Sequence, residues 1–173
     1  MTDGANFSGA ATILLRQLKG KSPQLSRSEN SGFSVGLEDE NNIFEAMTLF
    51  GPPDTYYEGG MFKAILKFPH DFPFNPPTMR FTSKLWHPNV YEDGRVCISI
   101  LHTPVEDSSG YEDVSERWSA ARSIESILVS VIAMLSSPND ESAANVDAAK
   151  MWRDDKPLYK KTVQRCVEKS MED

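Results

Sequence analysis

Cys97 is one of only two cysteines in the chain, and it lies in the stretch "HPNVYEDGRVCISIL" that runs from His87 to Leu101. Free cysteine is among the most buried residue types, and "VCISIL" alone fits a small apolar residue in a strand. Two neighbouring features point to chemistry instead. "YEDGRVC" puts a turn just before Cys97, at the edge of an element and not in its middle. Upstream, Pro88 restricts His87 and helps to present Asn89 in a fixed pose. An asparagine amide can donate to a developing oxyanion, the help that acyl transfer requires. The nearest downstream histidine is His102, and neither it nor His87 has an obvious partner acid, so no Cys-His protease signature is visible. A cysteine with an oxyanion donor and no evident base is suited to holding an acyl group as a thioester and passing it to an amine. Aminolysis then starts from an activated carbonyl, so positioning and desolvation of the amine matter more than a strong base.

The elements that must position this stretch are legible from pattern. At 173 residues the chain is long enough for one domain with a good core. "SGAATILLRQLKG" reads as a short amphipathic helix with Leu14, Leu15 and Leu18 inward. Three strand-like runs follow, "FSVGLE", "IFEAMTLFG" and "MFKAILKF", with the turn-rich "PPDTYYEGG" between the last two. Short connections of this kind make an antiparallel meander and not βαβ units. "FPHDFPFNPPTMRF" is too proline-rich for helix or central sheet and reads as a stiff loop entering a short strand at "TMRF". In "SIESILVSVIAMLSS", Ile124, Ile127, Leu128, Val131, Ile132 and Leu135 form one apolar helical stripe. Two more helices follow, "ANVDAAKMWRDD" and a last one opened by Pro157, on which Tyr159, Val163, Cys166 and Val167 share a face. Cys166 is therefore expected in the core. The class is α+β.

Composition limits the partners. Acidic residues outnumber basic ones, 25 to 18, and the formal charge of −7 argues against nonspecific binding to nucleic acid or an anionic membrane. No apolar run approaches the roughly 20 residues that span a bilayer. The first twenty residues lack the basic and apolar regions of a secretory signal. Two cysteines make no disulfide framework, and no Cys/His group has zinc-site spacing, so no metal is expected. The expected setting is reducing, cytoplasmic and/or nuclear.

Taken in order, "FPFNPPTMRF", "HPN" with Cys97 after it, "RW" ahead of the apolar helix and "SSPNDESAANVDAA" resemble the ubiquitin-conjugating enzymes, the E2s of the E1–E2–E3 cascade. The resemblance covers roughly Ala10 to Ser170. It is closest to the G-type E2s, with the R-type next; both carry a sequence like "CISILH" followed by an acidic insertion. It implies the UBC fold: an N-terminal helix, a four-stranded antiparallel meander, and central and C-terminal helices. The catalytic domain would span 8–171 as a single unit, after a flexible 1–7.

The resemblance also assigns roles. Cys97 accepts ubiquitin's C-terminal carboxyl from E1 as a thioester, with ATP used upstream by E1 and no cofactor bound to this chain. Asn89 either stabilises the oxyanion or braces the loop, while His87 and His102 are structural residues near the site. Tyr91 either helps to orient the acceptor lysine or is an exposed loop tyrosine. Ser142 stands where many E2s have an aspartate that helps to deprotonate the lysine, with Asp140 and Glu141 just before it. Ser99 stands where many have an aspartate two residues after the cysteine. The group that activates the lysine is therefore left open. Twenty residues separate Cys97 from Trp118, and among them Glu106, Asp107, Glu112, Asp113 and Glu116 face one arginine, Arg117. By itself such a segment is a solvated acidic loop; the resemblance favours one that overhangs the thioester and attracts an acceptor lysine.

E1 and E3 are expected to compete for Arg16 and Lys19 on the first helix, Phe74 in "FPFNPP", and Ala120 and Ala121 in "WSAA". The outer face of the long helix, through Ser126 and Ser130, would hold the donor ubiquitin. The implied function is transfer of ubiquitin, with an E3 of RING type, to lysines of substrates or of ubiquitin, building chains that direct proteins to the proteasome. The enzyme is expected to work as a monomer. An E2 for a ubiquitin-like modifier is the alternative. An inactive binding protein of the same fold is disfavoured because Cys97 and Asn89 are both present, and a cysteine hydrolase by the missing Cys-His-acid set.

Overall fold

The computed structural model describes residues 33–37, 44–103 and 113–172. The helix expected over 8–20 with Arg16 and Lys19, the segment 1–7, and Glu106, Asp107 and Glu112 of the acidic insertion lie outside the described residues.

Four strands, β1 (Phe33–Leu37), β2 (Phe44–Phe50), β3 (Met61–Lys67) and β4 (Thr78–Phe81), form one antiparallel sheet in the order β1-β2-β3-β4. This is the meander that short, turn-rich connections dictate. Alternation along β3 puts Phe62, Ala64 and Leu66 on the core side and Met61, Lys63 and Lys67 outward. The register continues that face across the sheet, opposing Leu49 to Phe62, Met47 to Ala64, and Leu66 to Met79. A one-residue slip would turn all of them out, so the pattern pins the register.

Three helices, α1 (Ile124–Ser136), α2 (Val146–Asp154) and α3 (Lys156–Ser170), follow. Each begins on a side chain that accepts an otherwise unpaired N–H: Ser123 from Ser126, Asn145 from Ala148, Asp155 from Leu158. Pro157 occupies the first turn of α3, where its missing N–H costs nothing. The stripe of α1 is buried at Ile124, Ile127, Leu128, Val131, Met134 and Leu135, while Ile132 is half-buried. At about 100° per residue, Ile132 and Met134 flank the stripe by about 80° on opposite sides. The packing takes the Met134 edge. Tyr159, Val163, Cys166 and Val167 of α3 are buried as their spacing predicts, and the Met61 N–H donates to Ser170 Oγ at 3.0 Å, tying α3 to β3.

"VCISIL" is not a strand. Val90 and Val96 meet in an isolated antiparallel bridge, and the chain then coils into a single 3-10 turn at Ser99–Leu101. A second 3-10 turn at Val114–Glu116 ends the acidic insertion. Gly94, at φ 92°, turns the tip of the 90–96 hairpin and lies against β4, accepting the Phe81 N–H at 2.8 Å. A Cβ at Gly94 would fall 2.1 Å from the Phe81 oxygen, whereas one at Gly59 (φ 84°) would meet nothing within 4 Å. Both incur the left-handed strain, but only Gly94 adds a backbone collision. Gly94→Ala is expected to cost about 3 kcal/mol and Gly59→Ala about 1 kcal/mol, read from denaturant midpoints at unchanged slope. Equal losses would overturn this account.

Candidate active site

The site is built on the tetrapeptide from Trp86 to Asn89, which runs through the interior with His87 at 0% and Asn89 at 4% exposure. Its polar backbone and side-chain groups draw partners from distant parts of the chain. His87 Nδ1 accepts the Asn89 backbone N–H at 2.9 Å, so the ring proton is on Nε2 and is donated to the Met134 carbonyl at 2.9 Å, at the end of α1. Burial pushes the His87 pKa down to about 4, against a smaller opposing effect of the Met134 hydrogen bond. His87 is therefore a neutral brace.

The carbonyl of Pro88 accepts the Ala144 and Asn145 N–H groups, both at 2.9 Å. The amide of Asn89 closes a two-way link with Asn139: Nδ2 donates to the Asn139 oxygen at 2.7 Å, and Oδ1 accepts the Asn139 N–H at 2.9 Å. These bonds fasten the loop between α1 and α2 to the tetrapeptide at both ends. Of the two roles considered for Asn89, loop bracing is visible in the geometry. One Nδ2 hydrogen is not needed for that link.

The Asn89 carbonyl accepts the Cys97 backbone N–H at 2.9 Å, which brings the cysteine beside it. Cys97 is half-buried, and its Sγ lies 3.5 Å from His102 Nε2. In a strand, residues five apart would be separated by about 16 Å. Here the 3-10 turn folds the chain back, with the Leu101 and His102 N–H groups donating to Ile98 and Ser99. His102 is held a second time where its carbonyl accepts the Trp118 N–H at 3.1 Å. A strand reading of "CISIL" hides this contact; a turn placed at Ser99 would have exposed it.

Two surface clefts are lined in part by residues before and after Cys97 in the chain, though not by Cys97 itself. One, about 360 Å³, is lined by Tyr91, Glu92, Asp93 and Arg95 of the hairpin and by Ala144 to Asp147 at the start of α2. Tyr91 is 38% exposed, with the Arg95 guanidinium 4.6 Å from its ring centroid and Arg95 Nε paired to Asp93 at 2.7 Å. Hydrogen bonds from the Arg95 backbone and side chain hold the Asp93 carboxyl below the usual range. Ser142 is exposed in the loop leading to α2. The other cleft, about 440 Å³, is lined by Ile98, Ser99, Ile100, Ser115, Glu116, Arg122 and Ser130. Of the acidic insertion, Asp113 and Glu116 are exposed; Asp113 caps the Val114–Glu116 turn through the Ser115 N–H, which lowers its pKa. Arg122 donates to the carbonyls of Ser115 and Arg117 and so anchors the returning end of the insertion.

Phe74 is 77% exposed, and Ala120 and Ala121 are exposed as well. Their two loops are tied together where Trp118 Nε1 donates to the Pro73 carbonyl at 2.8 Å. The serines on α1 are less available than the sequence suggests. Ser126 Oγ donates to the Ser123 carbonyl and Ser130 Oγ to the Ser126 carbonyl, and both residues are half-buried; the residue that stands out from this face is Val129, 56% exposed. Among the described residues no group of three or more His, Cys, Asp or Glu side chains is placed to hold a metal ion, and no helix is long and apolar enough to cross a membrane.

Residues 14–167 match the family model described as ubiquitin-conjugating enzyme. The chain is 59% identical over 166 residues to ubiquitin-conjugating enzyme E2 7 of Arabidopsis thaliana, covering 95% of this chain and 98% of that protein. Identity is 52% over 166 residues to ubiquitin-conjugating enzyme E2 15 of Schizosaccharomyces pombe, covering 95% and 97%. It is 52% over 162 residues to ubiquitin-conjugating enzyme E2 G2 of Homo sapiens, covering 93% and 98%.

The buried His87 makes stability depend on pH. Because its pKa is lower folded than unfolded, the unfolded chain binds the extra proton between the ordinary value of 6.5 and about 4. Its contribution is therefore complete above pH 6.5 and is lost as pH falls toward 4, amounting to about 3 kcal/mol there. Urea midpoints of the wild type and His87→Gln from pH 7.5 to 4.5 should diverge in slope, the wild type being steeper. Parallel slopes would contradict a buried neutral His87.

Proposed function

The chain belongs to the ubiquitin-conjugating enzyme family, and from that premise we propose that Cys97 is the nucleophile that carries ubiquitin. As an E2 it receives ubiquitin from an E1 and passes it on with an E3. The observation that carries the Cys97 reading is its position: half-buried, beside Asn89, with an imidazole 3.5 Å from its sulfur. The other cysteine, Cys166, is 5% exposed in the core.

His102, expected to be structural, is here the proton carrier: in charging, the Cys97 sulfur attacks the carbonyl of the E1-bound ubiquitin thioester, its proton passes to His102 Nε2 and on to the E1 sulfur, and that sulfur leaves as a thiol. In discharge, a neutral lysine amine attacks the new thioester, the C–S bond breaks, and the proton the amine loses as it becomes an amide passes through His102 Nε2 to the leaving Cys97 sulfur. The second Nδ2 hydrogen of Asn89 serves the oxyanion while the first holds Asn139. Tyr91 and Ser142 form the surroundings of the incoming lysine, and the acidic insertion raises its local concentration, with Glu116 among the residues that line the second cleft.

Phe74, Ala120 and Ala121 form the E1- and E3-binding end, with Arg16 and Lys19 completing it. Exposure of Phe74 and the tie between the two loops support this. The RING class of E3 is the partner type, and donor ubiquitin lies on α1 along Ser126, Val129 and Ser130. The product is polyubiquitin that directs proteins to the proteasome, and the enzyme acts as a monomer in the cytoplasm and/or nucleus, away from nucleic acid and membrane. A formal charge of −7 and two free cysteines support that setting.

Charging with ubiquitin E1, ATP and ubiquitin on nonreducing gels tests the central step. Cys166→Ser should keep a reductant-sensitive adduct, and Cys97→Ser should lose it or convert it to a reductant-resistant ester. His102→Ala should slow charging by about 100-fold. A reductant-sensitive adduct that survives loss of Cys97 sinks the assignment, and wild-type charging by His102→Ala sinks the proton exchange.

A further inference from the structure

The same tetrapeptide is held at its first residue by a pair of phenols that take no part in the transfer chemistry. Tyr57, from the connection between β2 and β3, is 1% exposed, and Tyr159, in the first turn of α3, is 0% exposed. The Tyr57 hydroxyl donates to the Trp86 carbonyl at 2.7 Å. Its oxygen lies 2.6 Å from the Tyr159 hydroxyl, which is itself 3.5 Å from the Trp86 carbonyl. Each phenol has one proton. With that of Tyr57 committed to Trp86, Tyr159 donates to Tyr57, and the chain runs Tyr159 to Tyr57 to Trp86.

Burial raises the Tyr57 pKa well above its ordinary value, with Tyr159 adding to the rise, and burial likewise raises that of Tyr159. Both stay protonated and remain donors. The Tyr57 ring also lies 5.8 Å from the His87 ring, centroid to centroid.

One donor is enough to satisfy the Trp86 carbonyl. The second phenol satisfies nothing more there; it occupies the Tyr57 oxygen and so aims the single Tyr57 proton at Trp86. Direction is therefore fixed as well as occupancy. Trp86 precedes His87, and Asn89, two residues further on, accepts the Cys97 N–H. An error in the Trp86 peptide plane is thus passed to Asn89 and to the reacting sulfur.

We propose that Tyr57 and Tyr159 are positioning residues for ubiquitin transfer, fixing the Trp86 carbonyl and through it the pose of Asn89 and Cys97. This rests on the reading of Cys97 as the ubiquitin carrier. Neither phenol touches the thioester.

Purified full-length thioester is prepared for the wild type, Tyr57→Phe, Tyr159→Phe and the double variant, and its single-turnover discharge is followed against increasing free lysine. Only charged molecules are counted, so a smaller folded fraction does not alter the rate constant. The double variant should discharge about tenfold more slowly at saturating lysine, with the lysine concentration for half-maximal rate unchanged. Tyr159→Phe keeps the bond to Trp86 and should lose about twofold; Tyr57→Phe, where Tyr159 can move onto Trp86, about threefold. If the double variant does not fold, the two single variants decide, because a wild-type rate in both overturns the proposal. Wild-type rates in every variant, with only the melting temperature lowered, assign the hydroxyls to stability and overturn it as well. A wild-type chain that forms no adduct on Cys97 removes the premise, and the inference falls with it; charged variants that discharge normally defeat the inference alone.

Discussion

A buried tetrapeptide cannot leave its polar groups unpaired, in backbone or side chain, and at Trp86 to Asn89 this requirement organises the molecule. An orphaned buried donor or acceptor costs on the order of 1–3 kcal/mol. Among the described residues, no neighbouring strand pairs with these four along their length. Their partners come instead from the β2–β3 connection through Tyr57, from α1 through Met134, from the α1–α2 loop through Asn139 and Ala144, and from the cap of α2 through Asn145. Helices and sheet are thereby fixed relative to one strip of backbone. The catalytic candidate is placed by the same strip.

That arrangement gives Cys97 a rigid address without burying it. Its N–H is fixed on Asn89, while the hairpin before it and the 3-10 turn after it stay near the surface and border open clefts. A residue that must meet an E1, a ubiquitin tail and an acceptor amine in turn needs this combination of fixed backbone and accessible sulfur. The proline-rich loop is joined to the same network by Trp118, whose indole donates to Pro73 while its N–H donates to the His102 carbonyl. One buried residue therefore connects the end bearing Phe74 with the residue beside the sulfur, through its indole on one side and its backbone N–H on the other.

Division of labour among polar residues follows from burial. His87, fully enclosed, is committed to backbone partners and acts as a brace, while Asn89, almost enclosed, braces Asn139 and keeps one amide hydrogen outside that link. His102, on a turn beside the sulfur, is the imidazole whose ring nitrogen faces the thiol. The acidic residues at the end of the insertion are exposed, where charge acts over a distance and is screened by salt.

Elements with a strong period were legible in advance: the strands of the meander, the α1 stripe, the face of α3 that buries Cys166, and the helix opened by Pro157. Order and spacing of "FPFNPP", "HPN", Cys97 and "RW" identified the family. These are properties of consecutive residues, set by backbone geometry and by which side chains avoid water. What period cannot encode is a partner fifty residues away or the choice between two equivalent edges. Met134 rather than Ile132 is buried, Asn89 closes on Asn139, the serine hydroxyls of α1 turn back onto their own helix, and Ser99 begins a 3-10 turn that returns His102 to Cys97. The Met134 and Asn139 contacts were decided by a buried strip of peptide whose hydrogen bonds had to be met from wherever the fold could supply them, and the others by local hydrogen bonds that a periodic pattern does not record.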